Sequence, residues 1–113
     1  MKLASLAEDL VYNESKPAIN VLLETENSKE IRIAFKKGQI MKEHKTPYPI
    51  VVEVFKGEIV FGVNGIKHQL KTGGLIALEG DIPHDLLANE NSIVRLSLSK
   101  KDKVERVRSV ETS

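Results

Sequence analysis

No cysteine and no tryptophan occur among the 113 residues of this chain. The first absence excludes a disulfide framework, a thiolate metal centre and a cysteine nucleophile. With no Trp, three Phe and two Tyr, the chain also lacks a row of rings on which bases or sugars would stack. Neither sign of charge dominates, because 17 Lys and Arg stand interspersed against 16 Asp and Glu for a net charge of +1. That balance leaves no electrostatic footprint for nucleic acid. No apolar run approaches the roughly 20 residues of a membrane-spanning helix. No basic segment followed by a long apolar run opens the chain, so no signal peptide is expected. The expectation is a cytoplasmic protein with neither a nucleic-acid nor a membrane partner.

What is present is an ordinary globular composition, 41% hydrophobic, in a length that suits one domain able to bury a core. Its organisation reads as an N-terminal arm and strand over 1–28, a core over 29–99 and a charged tail over 100–113. In the arm, Ser5 with Glu8 three residues later is a capping-box pattern. With Leu3, Leu6 and Leu10 it suggests a short helical turn or an arm too short to be stable alone. Residues 19–24 suit a strand, and the polar residues 26–29 a turn.

From residue 30 onward the pattern has the period of a strand. Ile31, Ile33 and Phe35 fall on one face, residues 50–55 are rich in β-branched side chains, and 58–63 and 66–70 flank Asn64-Gly65. Asn-Gly between two such runs is a strong hairpin signal, since a type I′ turn needs positive φ at both central residues. Residues 75–78, 84–88 and 93–98 complete some eight to ten short strands with turns between them, which predicts an all-β barrel or sandwich. In the tail, Val104, Val107 and Val110 form a weak stripe. No phosphate-binding glycine loop, G-x-S-x-G elbow or His-Glu-x-x-His motif occurs.

Two glycine-framed segments carry the histidines of interest. The first runs from Gly38 through His44 and Thr46 to Ile50 and Gly57, and the second from Gly73 to His84. In order and spacing they resemble the two motifs of the cupin family. The resemblance covers about residues 30–99 and implies an antiparallel double-stranded β-helix, or jelly-roll barrel, of the small RmlC-like kind. It also implies a homodimer. The departures are specific. Thr46 stands where the first motif has its second histidine, and Ile50 where it has its glutamate. In the second motif Glu79, Asp81 and Ala88 replace proline, glycine and asparagine.

Strand alternation places Ile50, Val52 and Val54 on one face and Glu53 on the other, so Glu53 does not stand in for the missing glutamate. The resemblance projects His44 and His84 into the mouth of the barrel, with Thr46, Ile50, Val52 and Leu86 completing a ligand pocket. His44 and His84 are then candidate ligands for Zn, Fe, Ni, Cu or Mn. Two protein ligands make a thin site, because a catalytic zinc keeps three. His68 is a further candidate if its strand lines the pocket. Tyr48, between two prolines, belongs to a loop or edge, and Glu79, Asp81 and Asp85 most simply flank a turn.

Three functions follow. One is a small-molecule-binding barrel whose apolar pocket is oriented by His44, Thr46 and His84, and the residues favour it. The second is a metal-dependent dioxygenase or isomerase of a small acid or sugar. The third is an interaction module with a vestigial pocket. The missing histidine and glutamate count against the second. The retained histidine pair counts against the third, since a buried imidazole needs partners.

Overall fold

In the computed structural model, residues 1–100 are described; the tail beyond Lys100, with its valine stripe, lies outside them. Nine strands follow one another among the described residues: β1 (Ala18–Glu24), β2 (Ser28–Phe35), β3 (Ile40–His44), β4 (Ile50–Lys56), β5 (Glu58–Val63), β6 (Ile66–Lys71), β7 (Leu75–Leu78), β8 (His84–Ala88) and β9 (Ser92–Ser99). They form a five-stranded sheet in the order β1-β2-β9-β4-β7 and a four-stranded sheet in the order β3-β8-β5-β6. All pairings are antiparallel. No helix long and apolar enough to cross a membrane occurs among the described residues.

Alternation builds the core. Cross-strand partners share a face, so the rows Ile31–Leu96–Val52–Ile76 and Ile33–Val94–Val54 point from the larger sheet toward the smaller. From the smaller sheet Phe61 and Leu86 answer them, with Ile59 and Ala88 one row further on. These side chains form one buried cluster with Phe35 at one end. Ile50, Val52 and Val54 all point inward, while Glu53 points outward toward Arg95. That is the parity read from the sequence. At the β5–β6 turn both Asn64 (φ 54°) and Gly65 (φ 76°) take positive φ, the type I′ geometry that Asn-Gly favours.

Two local readings change. Residues 1–14 form an arm without a helix. Ser5 Oγ accepts from the amides of Ala7 and Glu8 as an N-cap would, but the chain turns away at Asp9 (φ 53°). What holds the arm is Arg32, whose guanidinium donates to the carbonyls of Ser5, Leu6, Glu8 and Asp9. The expected turn over 26–29 is shorter, because β2 already begins at Ser28. Thr25 closes the reversal by donating its amide to Ser28 O at 2.8 Å and accepting the Ser28 amide on its hydroxyl at 3.0 Å.

Candidate functional site

His44 ends β3, His84 begins β8, and the two are direct cross-strand partners. Adjacent residues in such a pair have side chains on the same face, and the two imidazole centroids stand 4.4 Å apart, tilted by 59°. The pairing row continues from His84 to Val63 and then to Ile66. On the larger sheet, Ile50 is flanked by Leu78 and Leu98. The loop 45–49 runs from His44 to Ile50, and the loop 79–83 runs from Leu78 to His84. The histidine row and the Ile50 row therefore lie at the same end of the barrel.

The two loops meet there. Asp81, at φ 63°, donates its amide to Thr46 O at 2.7 Å. Gly80 packs so closely on the other loop that a Cβ would lie 2.9 Å from the Pro47 carbonyl carbon and nearer still to its oxygen. Glycine is required at 80 for space.

Both rings are fixed in the same way. His44 Nδ1 donates to Lys42 O at 2.8 Å, and His84 Nδ1 donates to Ile82 O at 2.9 Å. A carbonyl oxygen can only accept, so Nδ1 carries hydrogen in each ring and Nε2 is left for other partners. His84 is 4% exposed and stacks on Phe61, with centroids 5.4 Å apart and planes within 9°. Among the described residues the one fully buried side-chain nitrogen or oxygen without a partner is Arg32 Nε. His84 Nε2 has no hydrogen-bond partner among the described residues.

The other sequence candidates are placed differently with respect to this pair. Ile50 lies at the same end, and Val52 and Leu86 pack beneath it in the core. Thr46 lies beyond the end of β3, with its hydroxyl donated to Tyr48 O at 2.9 Å, inside its own loop. His68 pairs with Phe61 and so shares the inward parity, but it sits exposed on the edge strand β6, two strands from His84. Asp85 faces the opposite side of β8 from His84, its carboxylate lying over Gly62. The stack of Phe61 on His84 was not read from the sequence. Its only signal was that Phe61 continues the inward parity of Ile59.

A metal at this end would be held by His44 and His84, whose Nδ1–carbonyl bonds orient the rings as a metal's outer shell does. The remaining positions do not complete a centre. Thr46 is turned to its loop, Ile50 is apolar and Glu53 faces Arg95. Among the described residues no group of three or more His, Asp or Glu side chains is placed to hold an ion. The donor set does not fit a three-ligand catalytic site.

No protein-family model matches the chain, and no curated protein matches it. Solved structures do. An RmlC-like cupin from Desulfovibrio desulfuricans superposes with a TM-score of 0.81 at 22% identity, over 88% of this chain and 96% of that one. A conserved protein of unknown function from Streptococcus pyogenes gives 0.76 at 20% identity, over 89% of each chain. A cupin 2 conserved barrel domain protein from Leptotrichia buccalis is 31% identical, with a TM-score of 0.73 over 83% of this chain and 46% of that longer one.

Proposed function

From the premise that this chain is a small RmlC-like cupin barrel, we propose that it binds a small molecule at the barrel end closed by loops 45–49 and 79–83. The observation that carries this reading is the paired imidazoles of His44 and His84. Each is anchored through Nδ1, which leaves its Nε2 for another partner. Anchored polar groups set in an apolar surround are the usual make-up of a small-molecule site. The apolar side chains in the strand rows at this end are Ile50, Val63, Leu78 and Leu98. The barrel works in the cytoplasm as a homodimer on this reading, with the edge strand β1, whose one charged residue is Glu24, as the pairing element.

The test uses the full chain purified without a histidine tag. Thermal-shift screening of small metabolites is run on the wild type and on a His44→Ala, His84→Ala double variant. Compounds that raise the melting temperature of the wild type and not of the variant are the expected result. Plasma mass spectrometry on the same samples is expected to find metal far below one equivalent. Near-stoichiometric metal that vanishes in the variant would replace this reading with the metal-enzyme one. Equal responses of both proteins to every compound would remove the mouth as a ligand site.

A further inference from the structure

We infer that the arm and the outward face of the larger sheet form a second binding site, one for a zwitterionic α-amino acid with an apolar side chain. A groove of about 530 Å³ lies between them. Among the residues that line it are Leu3, Ala4, Glu8 and Asp9 of the arm, Leu22 of β1 and Arg32 of β2. That volume falls within the roughly 300–1,000 Å³ of small-molecule sites. The groove is outside the barrel, on the face of β2 opposite to the buried Ile31 and Ile33, and is independent of the histidine end.

Arg32 is the centre of the argument. It is 4% exposed, the one Lys, Arg, Asp or Glu that is buried among the described residues. No ion pair joins it to a carboxylate there, and a buried charge left uncompensated is costly. A guanidinium has five N–H donors. Nη1 shares its two among the carbonyls of Ser5, Leu6 and Glu8, and Nη2 gives one to the carbonyl of Asp9. Nε, fully buried, gives none. One Nη2 hydrogen and the Nε hydrogen are left over. Those two nitrogens form the side-on edge with which a guanidinium grips both oxygens of a carboxylate.

Glu8 and Asp9 set the opposite requirement. Both are exposed, and neither takes part in an ion pair among the described residues. A lone anion bound for Arg32 would pass two carboxylates, and a lone ammonium would face the guanidinium. A ligand carrying both groups on one carbon, carboxylate inward and ammonium outward, meets neither objection. Leu3, Ala4 and Leu22 offer an apolar surface to its side chain. Entry is by way of the arm. No arm residue belongs to the buried core cluster, and Leu3 is 84% exposed. That wall opens at the cost of polar bonds rather than of core packing.

The experiment is ¹H–¹⁵N NMR of the full chain, following the Arg32 Nε–H resonance. The probes are L-leucine, isocaproate, which is leucine without its ammonium, and isoamylamine, which is leucine without its carboxylate. Leucine is expected to shift the resonance saturably. Isocaproate is expected to do so with roughly fivefold weaker affinity, the loss of one exposed ion pair. The amine is expected to leave it unmoved. A Glu8→Gln, Asp9→Asn double variant keeps Arg32 and the carbonyls that hold the arm, and in it leucine and isocaproate are expected to bind alike. The His44 and His84 resonances are expected to stay unmoved throughout. Isocaproate binding the wild type as tightly as leucine would overturn the zwitterion class, and a preference for leucine that persists in the double variant would overturn the role of Glu8 and Asp9. The amine acting as leucine does would overturn the role of Arg32. Leucine moving the histidines and not Arg32 would put its site at the barrel end and overturn this one. Silence of Arg32 to all three probes would overturn the site and leave the reading of the barrel end untouched.

Discussion

Glu30 illustrates how a single side chain sets a condition on stability. It lies on the outward face of β2, its side chain 14% exposed. Burial alone would raise its pKa, but hydrogen bonds from Ser97, Ser28 and Arg95 outweigh that and hold the carboxyl below its usual range. Arg95 donates to Oε1 at 2.9 and 3.3 Å, and Ser97 donates to Oε2 at 2.9 Å. A carboxylate whose folded pKa is depressed stabilises the fold fully above its unfolded value, and that contribution fades as pH falls through the folded value. Glu30→Gln is therefore expected to cost roughly 1 kcal/mol at pH 7, and less as the pH drops below the ordinary glutamate range. Urea melts of both proteins across pH 3–7 check this; parallel stability curves would mean that the carboxylate carries no pH dependence. Neither Glu30 nor Arg32 was legible from sequence in these roles. Each acts through partners far along the chain, Ser97 for one and the arm carbonyls of residues 5–9 for the other, and local periodicity records only that both point away from the core.

Among the elements, the turns that carry their own chemistry were legible and the loops that lean on each other were not. Asn64-Gly65 fixed a hairpin because positive φ at two residues in a row is a local demand. Loops 45–49 and 79–83 are joined instead by a non-local contact: Gly80 against the Pro47 carbonyl, and the Asp81 amide on Thr46 O. This contact bears on function, because one loop leaves His44 and the other enters His84. Gly80→Ala would drive a methyl group into backbone that has no rotamer with which to yield. Such overpacking costs about 1–3 kcal/mol. The expected outcome is a lower melting temperature together with altered ring-current shifts of His44 and His84, since separating the loops moves the two strand ends that hold the rings. Unchanged histidine shifts with unchanged stability would mean that the loops part without disturbing the pair.

For the whole molecule, the architecture was readable because strand alternation and the spacing of two motifs repeat over most of the chain, and both are local signals added many times. Activity was not, because it rests on the few positions where the motifs depart, Thr46 and Ile50 above all. How the barrel meets its neighbours rests on edges. β1 is the outer strand of the larger sheet. By register, Ile19 and Val21 pair with Ile33 and Ile31 and so share the inward face, yet they are 56% and 55% exposed. The larger sheet is one strand wider than the smaller, and among the described residues β1 pairs with β2 alone. Glu24 is its one charged residue, so it lacks the lysines that usually guard an edge. A second copy related by a two-fold axis could lay its own β1 alongside with no like charges opposed at the centre. The wild type is accordingly expected to sediment as a dimer at micromolar concentration. Ile19→Lys and Val21→Lys are expected to shift it to monomer while keeping the β-sheet circular dichroism. Leu75→Lys, equally exposed but on the opposite edge strand β7, is expected to leave the dimer intact. A monomeric wild type, or a dimer that survives both β1 charges, would rule out this edge as the interface.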